Sequence, residues 1–291
     1  MTTHYRVPYT FYGDNRFSYQ RSRVVILPVP YEGSVSYQHG TSGGPHAILT
    51  ASRQVEWYDI ELGREVPDTA KVHTLAEMEP MTDSVRDMIE SVRKVTERNI
   101  QKKKFQLMFG GEHSVSLGAI QAYQAKYRDM SILQIDAHSD LRDTWENSAY
   151  NHACVMRRAA ESVKRVVQVG IRSQDSTEAL YASEHKDQIR IFYGDDVPVK
   201  KISESLSSRV YVTIDVDGLD PSIMPATGTP EPGGLSWKQL ITLLRFVAQS
   251  HTIIGADIVE LSPLSSNAAP DFLTAKLAHK LIAYTQFKRP L

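Results

Sequence analysis

Asp136, His138 and Asp140 stand at positions i, i+2 and i+4, and Asp215 and Asp217 repeat the spacing. In extended backbone that spacing turns the side chains to one side. Clustered carboxylates without countercharge repel one another and are driven to hold protons. A divalent metal removes the penalty. The arithmetic favours two ions: Asp136, Asp140, Asp215 and Asp217 carry −4, and two divalent cations carry +4. His113, closing Gly110-Gly111-Glu112-His113, adds a second imidazole. The set is then oxygen-rich with two imidazoles and no thiolate. That suits Mn2+ better than the closed, cysteine-bearing tetrahedron of structural Zn2+. Six protein ligands for two ions imply bridging carboxylates. Paired ions lower the pKa of a water between them and aim it as a nucleophile.

Each residue also has an ordinary reading. The acids of 136–140 read as a solvated loop, but uncompensated acids do not gather at one rim. His113 alone reads as a helix start, and Glu260 alone as a surface acid. His152 reads as a helix cap or a surface histidine. Asp220-Pro221 is a turn rather than a ligand, and Cys154 a small buried hydrophobe.

Elements must bring these groups together. Apolar, β-branched runs recur at 23–29, 105–109, 131–135, 165–169, 189–193, 209–214 and 253–259, with a weaker one at 71–75. Continuous apolar runs mean strands covered on both faces. Helical periodicity fills the gaps at 82–101, 114–127, 152–161, 236–249 and 268–284, with a short helix after Pro45. Ser236 is a plausible N-cap. The alternation predicts an α/β fold of three layers, αβα, around a mainly parallel sheet of about eight strands. Gly110–His113, Asp136–Asp140, Asp215–Asp217 and Glu260 each follow a strand. Ligands of an open parallel sheet bind outside its carboxyl ends, so four strands aim acids or imidazoles at one rim.

Composition narrows the partners. Lysine plus arginine total 33 against 34 aspartate plus glutamate, a net charge of −1, which argues against a phosphate-neutralising nucleic-acid binder. The 41% hydrophobic and 23% charged fractions argue against wholesale disorder. Apolar runs such as 24–27 fall far short of the ~20 residues of a membrane span. No basic segment leads into an apolar stretch, so no signal peptide is expected. A single cysteine excludes an internal disulfide and fits the reducing cytoplasm. No linker divides the 291 residues, so one domain over 1–291 is expected.

Gly-Gly-Glu-His at 110–113, Asp-Ala-His-Ser-Asp at 136–140 and Thr-Ile-Asp-Val-Asp-Gly-Leu-Asp-Pro at 213–221 resemble three signature motifs of the ureohydrolase family, which holds the arginases, agmatinases and their guanidino-acid relatives. Thr-Gly-Thr-Pro-Glu-Pro-Gly-Gly at 227–234 and Asp-Ile-Val-Glu-Leu-Ser-Pro at 257–263 are similar too, and the likeness runs from 31–48 to the last helix. Glu112 departs from the family's usual Asp and is not expected to be a ligand. The resemblance implies two Mn2+ per chain, with Asp136 and Asp215 bridging both. His113 and Asp140 would complete one shell, His138 and Asp217 the other. It also implies that Glu260 holds the guanidinium, a fork that a carboxylate matches. Asp140 would pass a proton to the leaving amine, and His152 would act as a mobile proton shuttle. A homo-oligomer, trimer or hexamer, is implied as well.

The stretch Leu-Arg-Asp-Thr-Trp-Glu-Asn-Ser-Ala-Tyr-Asn-His at 141–152 departs from arginases and is closer to agmatinases, through Asp-Leu-Arg and the later Arg157-Arg158-Ala159. It lacks the pattern agmatinases commonly carry after the histidine. Asp143 and Glu146 are expected to meet a distal ammonium. The implied reaction is agmatine to putrescine and urea, with guanidinobutyrate or arginine hydrolysis as the near alternatives. More distant are a deacetylase with one Zn2+, disfavoured by six ligands, and a non-catalytic homologue, disfavoured because none of the six is degraded.

Overall fold

The computed structural model describes residues 7–34, 36–81 and 83–287. In chain order the strands are β1 (Val24–Val29), β2 (Tyr58–Asp59), β3 (Arg64–Glu65), β4 (Val72–Thr74), β5 (Phe105–Gly110), β6 (Ser131–Ile135), β7 (Arg165–Ile171), β8 (Ile189–Tyr193), β9 (Arg209–Asp215) and β10 (Thr252–Val259). The helices are α1 (Gly44–Ser52), α2 (Val66–Ala70), α3 (Val85–Gln101), α4 (Ser116–Lys126), α5 (Val155–Ala160), α6 (Ser176–Glu184), α7 (Val199–Glu204), α8 (Trp237–Ser250) and α9 (Ala269–Gln286). β2 and β3 pair as a small antiparallel hairpin. The other eight strands form one parallel sheet in the order β4-β1-β5-β10-β9-β6-β7-β8. This is the expected α/β architecture.

The central strands are mainly apolar because both faces are covered. Successive side chains leave a strand on opposite faces. Leu107 and Phe109 therefore join Ile48, Leu244 and Leu281 from α1, α8 and α9. Met108, between them, joins Met88, Val92 and Ile120 from α3 and α4 on the other face. α3 and α4 pack so closely that a Cβ on Gly118 would sit 2.2 Å from the Ile89 carbonyl oxygen. Ser84 caps α3, accepting from Asp87 N at 3.2 Å. The helix expected from Thr82, which lies outside the described residues, thus begins at Val85. Ser236 caps α8 in a full capping box with Gln239, as expected. The hairpin, α2, α6 and α7 were not expected: each is too short to show a periodic face. No helix among the described residues is long and apolar enough to cross a membrane.

One buried ion pair ties the hairpin to α9. Lys280 Nζ lies 2.8 Å from Asp59 Oδ2 and 2.9 Å from Glu61 Oε2. Burial alone would push the Asp59 carboxyl up, but His279 and Lys280 hold it well below the ordinary carboxylate range. The stability from this group is therefore complete above the ordinary value of about 3.9 and fades as pH falls toward its folded value. Asp59→Asn leaves Lys280 without its buried partner and is expected to cost about 3 kcal/mol. Urea unfolding at pH 7 measures it; a loss below about 0.5 kcal/mol, the level of an exposed pair, would contradict the buried pairing.

Candidate active site

β5, β10, β9 and β6 are the four central neighbours of the sheet, and the four motifs sit at their carboxyl ends. Sequence spacing had placed each motif at a strand end; the sheet order makes the four ends adjacent. After β5 the chain passes against β1's continuation, where a Cβ on Gly111 would lie 2.0 Å from the Tyr31 carbonyl oxygen. Only glycine permits that approach. His113 then opens a 3-10 turn, His113–Val115, that leads into α4.

His113 Nδ1 lies 3.2 Å from Asp136 Oδ2, 3.1 Å from Asp140 Oδ2 and 3.7 Å from Asp215 Oδ2. His138 Nδ1 lies 2.9 Å from Asp217 Oδ2 and 3.7 Å from Asp136 Oδ1. Two groups of ligand atoms each fall within 4.8 Å: His113, Asp136 and Asp140, and Asp136, His138 and Asp217. Asp136 is common to both. Asp215 adjoins the first group without belonging to either, and its Oδ1 accepts from Asp217 N at 2.8 Å.

The electrostatics call for cations. Burial, with Asp217 and Asp140 nearby, pushes the Asp136 carboxyl up to about 7. Burial, with Asp217, Asp136 and Glu260 nearby, pushes Asp215 well above the ordinary range. Burial would raise Asp217 too, but His138 beside it holds it below that range. His113 Nδ1 is buried and has no hydrogen-bond partner. Oxygen donors, two imidazoles and an orphaned ring nitrogen fit divalent cations and leave little for a purely structural reading to explain.

Two of the site carboxylates sit on strained backbone. Asp140 has φ 52° and Glu260 φ 65°, where side chains are disfavoured by about 1 kcal/mol or more. Hydrogen bonds hold both. The Asp140 carbonyl accepts from Met156 N and Arg157 N, each at 3.1 Å. Glu260 N donates to the Gly111 carbonyl at 2.8 Å, and Glu260 Oε1 accepts from His113 N at 2.6 Å. Burial and the charge of Glu112 push the Glu260 carboxyl up, so a cation beside it is favoured.

A cavity of about 310 Å3 opens above these groups, lined by His113, His138, Asp140, Asp215, Asp217 and Glu260. His152 lines it as well, with Nδ1 3.2 Å from Ser34 Oγ and Nε2 3.2 Å from Ser36 Oγ. All the residues expected from the sequence to ligate metal or act in catalysis thus meet here, with Asp136 buried beneath.

Other parts were missed or misplaced. Asp143 does not line the cavity; it pairs with Arg158 at 2.5 Å and Arg157 at 3.9 Å. Glu146 does not line it either, and sits in a tight turn at φ 48°. The acids that do are Asp175, just before α6, and Glu178 within it; Asp175 is the more exposed of the two. Its Oδ1 caps that helix through Thr177 N at 2.8 Å, and its Oδ2 lies 3.7 Å from Arg142 Nη1. A strand-to-helix junction one element beyond the obvious motifs carried no spacing signal. Glu112, the departure noted above, is a clamp: its Oε2 accepts from Gly33 N and Ser34 N, each at 2.6 Å, and its Oε1 from Ser34 Oγ at 2.7 Å. It thereby holds the hydroxyl that touches His152. Gln134, Thr213 and Asp257 were also missed. Their signal was polarity inside otherwise apolar strands, since a buried polar group must find a partner.

The arginase family pattern matches residues 22–286. The N(1)-aminopropylagmatine ureohydrolase of Synechocystis sp. is 37% identical over 92% of this chain and 90% of its own. The agmatinase of Bacillus cereus is 34% identical over 85% and 86%. Among solved structures, the agmatine ureohydrolase of Thermoplasma volcanium superposes with a TM-score of 0.86 at 30% identity, covering 98% of this chain and 95% of that one. With the two acid–imidazole groups, the rim position and these likenesses together, the chain belongs to the arginase family, the ureohydrolases.

Proposed function

We propose that this ureohydrolase uses two Mn2+ to hydrolyse agmatine to putrescine and urea. The observation that carries the reading is the pair of acid–imidazole groups sharing Asp136 beneath a cavity that also holds Asp175. His113, Asp136, Asp140 and Asp215 would hold one ion, and Asp136, His138, Asp215 and Asp217 the other. The ions, when bound, supply a readily ionised water and offset the carboxylate charge. Glu260 keeps one oxygen on His113 N and offers the other to the guanidinium. Hydrolysis moves both protons of the water to the leaving amine: Asp140 relays the first and His152 the second. The same reading takes residues 1–291 as one domain, in a cytoplasmic homo-oligomer (a trimer or hexamer).

Asp175 supports a substrate whose far end is cationic. Arg142 is the one cation lining the cavity among the described residues, and Asp175 and Glu178 both stand within 4 Å of it. The α-carboxylate of arginine would meet this acidic wall. At about 3 kcal/mol for a poorly compensated charge, agmatine should exceed arginine in kcat/KM by about 10²-fold. A second reading, N(1)-aminopropylagmatine, is supported by the 36–37% identity to three ureohydrolases of that name, although a fourth stands at 33%, level with the agmatinases at 33–34%. Urea release across agmatine, N(1)-aminopropylagmatine, guanidinobutyrate and arginine decides. Arginine equal to agmatine would overturn the substrate reading. Guanidinobutyrate turned over fastest would make Arg142, not Asp175, the distal grip.

A further inference from the structure

The face of His113 turned away from the carboxylates carries a buried polar chain that the reaction as described does not use. His113 Nε2 lies 2.9 Å from Thr213 Oγ1. The Thr213 hydroxyl lies 2.5 Å from Asp257 Oδ1, and Tyr211 OH donates to Asp257 Oδ2 at 2.6 Å. All four residues are at most 1% exposed. Tyr211 and Thr213 share a face of β9, and the register sets Asp257 of β10 directly beside Thr213. An aspartate in the middle of a central strand thus has a hydroxyl on each of its oxygens.

The chain of protons has one consistent direction. Thr213 has a single hydroxyl proton, placed between a carboxylate and an imidazole. A charged acceptor at 2.5 Å takes it, because charge-assisted bonds are the shorter and stronger ones. The Thr213 oxygen can then only accept from His113. That puts a proton on Nε2, so the neutral ring that can ligate an ion has its lone pair on Nδ1. Nδ1 is the atom 3.1–3.2 Å from the Asp140 and Asp136 oxygens, buried and without a hydrogen-bond partner. A lone pair facing carboxylate oxygens is repulsive unless a proton or a cation stands between them, and, against burial, the neighbouring acids do push the ring toward the protonated form where no ion relieves them.

We propose that Asp257, acting through Thr213, is a positioning device for one of the two metal sites: it fixes the His113 tautomer and orientation so that Nδ1 presents its lone pair to the ion. A hydrogen-bonded imidazole is also a more basic ligand. The proposal rests on the reading of a two-ion site given above. Neither Thr213 nor Asp257 lines the cavity, so neither touches substrate.

The test is Mn2+ titration of metal-free protein, with bound metal per chain read by elemental analysis. Thr213→Val keeps the shape of the side chain and removes the hydroxyl. It is expected to weaken one ion by about 10–100-fold while the other binds as in the wild type. Thr213→Ser restores the hydroxyl and is expected to restore both affinities to within about threefold of wild type, a rescue that a packing role alone would not produce. Should Thr213→Val fail to fold, Asp257→Asn carries the test, and the same ion must weaken by about tenfold. Two ions bound with wild-type affinity in the folded Thr213→Val or Asp257→Asn variant overturn the proposal alone. So does a Thr213→Ser variant as weak as Thr213→Val. A wild-type chain that binds no Mn2+ overturns the two-ion reading, and this proposal with it.

Discussion

Asp136→Ala is expected to lose both metal ions and to lower kcat/KM by about 10⁴-fold or more, because the ions it would help hold supply the readily ionised water. The expectation follows from geometry. Asp136 is the one residue common to both ligand groups, with Oδ2 toward His113 and Oδ1 toward His138. Asp215→Ala should behave alike if its carboxylate bridges. Asp217→Ala is different: of the two imidazoles its carboxylate faces only His138, at 2.9 Å, so one ion should remain. The check is metal per chain alongside kcat/KM on the three purified variants, with thermal unfolding to show that each is folded. Equal metal content in Asp136→Ala and Asp217→Ala would contradict the sharing of Asp136.

His152→Ala is expected to lower kcat by about 10²–10⁴-fold, the range of general acid–base work. KM should change little, and both metals should stay, because His152 contacts neither ligand group. Its two ring nitrogens rest against Ser34 and Ser36, each at 3.2 Å. Glu112 fixes Ser34, so the imidazole is held at the cavity wall by hydroxyls. Such contacts break easily, as a group that moves protons between solvent and site requires. Small imidazole in the buffer is expected to restore part of the rate. Near-wild-type kcat with two ions bound would remove His152 from the mechanism. A fall in Tm with all parameters declining together would make it a structural residue.

What could be read from the sequence follows the range of each signal. Strands buried on both faces announce themselves by composition, so the apolar runs at 131–135 and 209–214 match β6 and β9. The i, i+2, i+4 pattern is also local, and Asp136, His138 and Asp140 do meet. The order of the sheet is not local. Nothing near Glu260 says that β10 lies between β5 and β9, yet that placement brings Glu260 within 2.6 Å of His113 N. Short helices show too few turns for a periodic face, so α6 and α7 went unread while α1, of similar length, was marked by the Pro45 in its first turn. Asp143 misled because proximity in sequence to the motif stood in for direction. Its carboxylate turns to Arg158, and Asp175, 35 residues beyond Asp140, lines the cavity instead. The polar chain through Thr213 and Asp257 depends on register between two strands distant in sequence, which no single stretch can show.

The most direct test of the central claim is urea release from agmatine by one preparation of the protein, assayed metal-free and again after loading with Mn2+. The account predicts urea and putrescine in equal amounts from the loaded protein, with two ions per chain. It predicts loss of that activity on chelation and its return when Mn2+ is restored. Urea release that persists undiminished in the metal-free protein, or no urea from a chain carrying two ions, would contradict it.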